Sequence, residues 1–174
     1  MAVSDPKLRR NRSTAFIIAF LVFVFDQATK WVVTYPLNLA GQPDRKIPIT
    51  DFFNLKWVEN TGVSLGLLSA DPVIGRWLLV GLTAAIALFV GIWLWRERRR
   101  DDSTALALIL GGALGNIADR SRFGYVVDFA DLHFGDWRPF LVFNVGDAAI
   151  TIGVLLLLVR ALLMRDGKAS KKDA

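Results

Sequence analysis

Four apolar blocks, residues 14–33, 77–95, 103–118 and 140–164, restrict this chain to few folds. A helix needs about 20 residues to cross a hydrocarbon core of roughly 30 Å. The second and fourth blocks reach that length, the first does so with charges inside it, and the third is short. With 53% apolar residues, the 174-residue chain is too apolar for an ordinary soluble domain. The expected fold is an all-α membrane bundle of four transmembrane helices, forming one domain over residues 1–174. Between the first two blocks, KIPIT and DFFNLKWVEN alternate apolar and polar residues and are rich in β-formers, which predicts a small extracytoplasmic β-sheet.

The charges set the orientation. Thirteen of the 21 Lys and Arg lie in residues 1–13, 96–103 and 160–174, only 36 positions. Seven lie in the 63 positions of 34–76 and 120–139, and Lys30 lies in the first block. This positive-inside asymmetry predicts cytoplasmic termini, a cytoplasmic 96–103 loop and a basic cytoplasmic tail at 165–174. The net charge of +5 is therefore a topology signal, and no nucleic-acid partner is expected. The first block follows a basic leader but lacks small residues at a cleavage site and contains Asp26, Gln27 and Lys30. It reads as a retained helix.

Within the greasy segments, ionisable residues are costly and mark function. The stretch 111–150 carries two Asn-x-x-Asp pairs, Asn116 with Asp119 and Asn144 with Asp147, and Asp128 between them. Helix three ends and helix four begins on the same outer side. That places Asn144 and Asp147 roughly 5–10 Å below the start of helix four. Asp26 and Lys30, four residues apart on helix one, lie at similar height and read as a structural polar pair that fixes helix packing, with direct substrate contact as the alternative. Gly111, Gly112 and Gly115 suit close helix packing in lipid. Asn60-Thr61-Gly62 reads as a turn.

Two carboxylates close together in a low-dielectric site share one proton, which suits water activation and carbonyl polarisation. Without cysteine, thiol chemistry and thiolate metal sites are excluded. A single histidine, His133, is too few for a multi-histidine metal site and gives a serine triad little to work with. No metal and no cofactor are expected. The rival reading is a small ion- or proton-coupled transporter subunit, whose buried carboxylates relay protons. Against it, the polar groups gather at one membrane face, and no inverted repeat is visible. A non-catalytic assembly factor would need no paired carboxylates.

These residues carry a resemblance. Asp26-Gln27-x-x-Lys30, Asn60-Thr61-Gly62, G-N-x-x-D-R at 115–120, V-V-D-F at 126–129 and F-N-x-x-D at 143–147 stand in the order found in the signal peptidase II, or lipoprotein signal peptidase, family. The resemblance implies a four-helix inner-membrane aspartic endopeptidase with a small extracytoplasmic sheet. It implies removal of the signal peptide from prolipoproteins on the N-terminal side of the diacylglyceryl-modified cysteine. It places the catalytic pair on Asp128 and Asp147, with Asn60, Gly62, Asn116, Asp119, Arg120 and Asn144 lining or supporting the site. Two departures stand out: Ser64-Leu65 where the family commonly has Ala-Phe, and Gly146, where it has Ala and where glycine adds backbone freedom.

The residues' own surroundings rank the aspartates the same way. Asp119 adjoins Arg120 and is expected to be tied to that cation. Asp128 has no adjacent charge, and Val126, Val127 and Phe129 desolvate it and raise its pKa. Asp147 sits in apolar helix four. The expected partners are lipid-modified prolipoproteins and membrane lipids, with the protein a multi-pass monomer of the bacterial inner membrane and its site near the outer face.

Overall fold

The computed structural model describes residues 6–62 and 72–169 of the chain. Helix α1 (Pro6–Thr34) passes through two short 3-10 turns into strands β1 (Lys46–Thr50) and β2 (Phe53–Asn60). Helix α2 (Pro72–Arg96), helix α3 (Arg100–Phe123), strand β3 (Val126–Leu132) and helix α4 (Val145–Ala169) follow. The Ser64-Leu65 pair lies outside the described residues.

All four helices begin or end away from the apolar blocks, for local reasons. Helix α1 is already formed at Pro6, where the described residues begin, rather than from residue 14, since the basic residues of the leader are good helix formers. Helix α3 runs on to Phe123, past the expected end at 118. It stops at Gly124, whose φ of 87° closes the helix by donating its N–H to the Arg120 carbonyl at 3.1 Å. Helix α4 starts at Val145, not residue 140. Residues before it are drawn to the sheet instead: Phe143 N–H donates to Ala130 O at 3.1 Å, and Ala130 N–H donates back at 2.7 Å.

Successive helices run antiparallel. At one end, the Arg12 guanidinium at the start of α1 stands over the Trp95 ring at the end of α2. There too Arg160 of α4 bonds Asp101 and Asp102 in the first turn of α3, at 3.0 Å each. At the other end, Arg76 near the start of α2 donates to the Arg120 and Ser121 carbonyls in the last turn of α3, sharing the first with the Gly124 N–H. The antiparallel sheet, ordered β1-β2-β3, sits at this second end. Its Trp57, Val127 and Phe129 pack on Val33, in the last turn of α1, and on Leu39 just beyond it.

Among the described residues, three segments are long and apolar enough to cross a membrane: Arg10–Gly41, Val73–Arg96 and Val145–Leu163. Helix α3 is not one of them. It contacts each of the other three helices, and its Gly111, Gly112, Gly115, Asn116 and Asp119 are buried among them. Large apolar side chains of the outer helices stay bare, as Phe20, Leu88 and Leu163 do, each more than 60% exposed. That is the surface of a protein solvated by lipid.

Close approach depends on missing side chains. A Cβ on Gly111 would lie 2.5 Å from the Ala19 carbonyl of α1, and one on Gly153 would lie 2.6 Å from the Ala105 carbonyl of α3. A Cβ on Gly115 would run into the Asp26 carboxylate, whereas one on Gly81 meets nothing within 4 Å. Gly115→Ala should therefore lower stability by about 1–3 kcal/mol, the usual overpacking range. Gly81→Ala should be neutral or mildly stabilising. Thermal unfolding of both variants in detergent checks the contrast.

Candidate active site

The site grows from one ammonium group. Lys30 Nζ, 4% exposed, lies 2.8 Å from Asp26 Oδ2, 2.8 Å from Asp119 Oδ2 and 3.1 Å from Asn116 Oδ1. An ammonium has three donors, and each finds an acceptor. The Asp26–Lys30 pair is thus present as expected, but it belongs to a wider network. Asp119 is tied to this cation rather than to Arg120, because adjacent residues on a helix point apart.

Each carboxylate then reaches onward. Asp26 Oδ1 accepts the Gly146 N–H of α4 at 2.8 Å, and Asp119 Oδ2 accepts the Val127 N–H of β3 at 3.1 Å. Gln27 Nε2 donates to Asp119 Oδ1 at 2.9 Å. The role of Gly146 is spatial: a Cβ there would lie 2.9 Å from the Gly112 carbonyl and 3.2 Å from Asp26 Oδ1. Positive φ is not what this position requires.

Above this layer stand the two other carboxylates. Asp128 is on β3, opposite Val58 of β2, and is 2% exposed. Its Oδ1 accepts from Asn144 Nδ2 at 2.6 Å, and its Oδ2 accepts from Asn60 Nδ2 at 3.0 Å. Asp147 lies in the first turn of α4, where Asn144 and Asp147 form a reciprocal cap. Asp147 N–H donates to Asn144 Oδ1 at 2.8 Å, and Asn144 N–H donates to Asp147 Oδ2 at 3.3 Å. Asn116 Nδ2 donates to Asp147 Oδ1 at 2.8 Å, and Asn144 Nδ2 also donates to Asn116 Oδ1 at 3.2 Å. Asn144 therefore touches both carboxyl groups. Burial pushes the Asp128 carboxyl up to about 7, and the Asp147 charge adds to the push; the Asn60 and Asn144 amides and the Lys30 charge oppose it.

The structure thus links Asp26, Lys30, Asn60, Asn116, Asp119, Asp128, Asn144 and Asp147 through hydrogen bonds. Gly62 sits at the margin, with φ 73° and its N–H donated to Asn60 Oδ1 at 3.0 Å. The Arg120 guanidinium lies alongside it, Nη2 3.4 Å from where a Gly62 Cβ would be, and its buried Nε has no partner among the described residues. Gln27 was not among the expected site residues; its signal was its place beside Asp26. Asp131 was missed too: it is buried in β3 and holds Asn54 and Arg138 at 3.3 and 3.1 Å, a sheet clamp. Among the described residues, no three of the His, Cys, Asp and Glu side chains gather in a way that would hold a metal ion.

An apolar cleft of about 270 Å³ leads to Asp147, walled by Phe140, Leu141, Phe143 and Ile152. It opens on the bare face of the molecule, where Leu141 is 90% exposed.

A profile described as Signal peptidase (SPase) II matches residues 18–163. The chain belongs to the signal peptidase II family. A lipoprotein signal peptidase of Sphingopyxis alaskensis is 57% identical over 158 residues, 91% of this chain and 90% of that protein. Another, of Rhizorhabdus wittichii, is 55% identical over 163 residues and covers 94% of each chain. A solved bacterial membrane enzyme superposes with a TM-score of 0.73 at 28% identity, over 90% of this chain and 92% of its own. Family membership makes the protein a protease and leaves the transporter reading without support. Its three apolar helices and its membrane-enzyme neighbours make it a bacterial membrane protein.

Removing the ammonium leaves Asp26 and Asp119 buried without their shared cation. Breaking a buried pair in this way costs about 3–5 kcal/mol. Lys30→Met should show that loss as a large drop in melting temperature, with the protein recovered mainly in degraded or aggregated form.

Proposed function

We propose that this member of the signal peptidase II family is an aspartic endopeptidase whose catalytic pair is Asp128 and Asp147. The observation that carries the reading is Asn144, which donates to both carboxyl groups and so holds β3 and α4 at one reaction centre. Two carboxyl groups held together in a dry site keep one proton between them. One deprotonates a water that attacks the scissile carbonyl, while the proton of the other passes to the carbonyl oxygen. Collapse of the resulting gem-diol breaks the C–N bond, and the proton taken from water goes to the leaving amine. The raised Asp128 carboxyl suits the proton holder. Asn60 and Asn116 orient the pair, and Asn144 fixes its spacing. Asp119 supports it by anchoring Val127 beside Asp128. Arg120 and Gly62 border the cleft.

The substrate is a prolipoprotein cut on the N-terminal side of a diacylglyceryl-modified cysteine. A cleft with apolar walls, open to the lipid-facing surface and ending at Asp147, supports a substrate that arrives while anchored in the membrane. Helix α3 is the fourth span, its polar residues shielded by the other three, and residues 1–174 form one peptidase domain. The basic end of the bundle faces the cytoplasm with both termini, which sets the sheet and the site near the outer face of the inner membrane. The enzyme works as a monomer.

Purified protein and a synthetic lipidated precursor test the assignment. Asp128→Asn and Asp147→Asn should each lower turnover at least 1,000-fold, on the order expected for loss of a general acid or base, while precursor binding persists. Asp119→Asn should act mainly through stability or affinity. A precursor without the diacylglyceryl group should be cut poorly. Near-normal turnover by folded Asp128→Asn, with complete loss in Asp119→Asn, would reassign the pair to Asp119 and Asp147.

A further inference from the structure

On the opposite side of the bundle from its chemistry, α1, α2 and α3 enclose an apolar groove of about 730 Å³. Phe16, Leu110 and Ile117 form its walls, and Ala84 and Gly91 of α2 leave it hollow. A Cβ on Gly91 would meet nothing within 4 Å. From Ala84 to Arg96 the groove extends about 18 Å at 1.5 Å per residue, slightly more than half of a ~30 Å hydrocarbon core. It therefore spans one leaflet. Spread over that length, its volume gives a cross-section of about 40 Å², half that of even a slim helix about 10 Å across. The hollow admits an extended hydrocarbon chain and not a helix.

One end of the groove is basic. Arg96 lines it beside Trp95, and the Arg12 guanidinium is held over the Trp95 ring, 5.1 Å from its centroid. The Nε of Arg12 is buried and lacks a hydrogen-bond partner among the described residues. Arg98 and Arg100 follow directly in sequence. Three acidic groups lie on this part of the chain, and each is engaged: the Glu97 carboxylate accepts the Arg98 and Arg99 N–H groups at 2.8 and 2.9 Å, and Asp101 and Asp102 pair with Arg160. Two guanidinium groups at the mouth of a one-leaflet hydrocarbon slot, at the end the charge asymmetry assigns to the cytoplasm, match an anionic phospholipid.

We propose that this groove is a binding site for one anionic phospholipid of the inner leaflet. An acyl chain lies along Gly91 and Ala84, and the phosphodiester is held between Arg12 and Arg96. The site is separate from the cleft at Asp147 and rests on the membrane orientation alone, not on the catalytic assignment.

The test uses full-length protein stripped of lipid in detergent. It is titrated with phosphatidylglycerol or with phosphatidylcholine of the same acyl chains, and adducts are counted by native mass spectrometry. About fivefold in affinity per arginine is expected at a membrane surface. The first phosphatidylglycerol should therefore bind roughly 25-fold more tightly than phosphatidylcholine, and the double variant Arg12→Gln, Arg96→Gln should abolish that preference. Gly91→Phe, whose Cβ meets nothing within 4 Å and whose ring occupies the hollow, should weaken both lipids at least tenfold while leaving melting temperature and turnover unchanged. Equal binding of the two lipids by the unaltered protein would overturn the proposal. So would undiminished phosphatidylglycerol binding by Gly91→Phe, or displacement of the bound lipid by a signal-peptide helix.

Discussion

The Lys30 ammonium is the group on which the rest of the site depends. Its three donors engage Asp26 of its own helix and Asp119 and Asn116 of α3. In a low-dielectric interior this stabilises only because each partner is also satisfied elsewhere. Asp26 draws α4 in through the Gly146 N–H, and Asp119 draws β3 in through the Val127 N–H. Asn116 turns its amide to Asp147. One buried cation thus sets the relative positions of three helices and a strand, and Asp128 and Asp147 meet as a consequence.

The network works only at short range, and glycine supplies the range. Gly115 faces Asp26, and Gly112 faces Gly146, at spacings that leave no room for a methyl group. Lipid tails are as apolar as leucine, so helix association in a bilayer relies on close packing and hydrogen bonds. The two devices need each other here. Without the glycines the carboxylate would not reach across to Gly146, and without the carboxylate the glycine seam would have little to hold it in register.

Much of this was legible in the chain, and the misreadings share a cause. The blocks of apolar residues located α1, α2 and α4, since hydropathy reports exposure to lipid. It under-reports α3, whose polar residues are covered by neighbouring helices. Alternation in KIPIT and FNLKWVEN marked β1 and β2 because a half-buried strand has period two. The spacing of Asn144 and Asp147 was read as depth within a helix. It is a helix cap, and the same Asn-x-x-Asp pattern is its signature. Asp119 was paired with Arg120 because they adjoin in sequence. Its real cation, Lys30, is 89 positions away, and no local pattern announces such a partner.

The central claim is that Asp128 and Asp147 share a proton inside this scaffold. Infrared difference spectra of the protein in detergent, followed from pH 4 to 9, observe that proton as a carboxylic C=O stretch. The account predicts a band that is present at low pH and lost near pH 7, because burial and the Asp147 charge both favour the protonated Asp128. The band should be absent in Asp128→Asn. In Asp147→Asn it should vanish at a lower pH, since a charge that raised the midpoint is gone. A wild-type spectrum with no carboxyl titrating between pH 5 and 8, or a midpoint unmoved by Asp147→Asn, would contradict the shared-proton account.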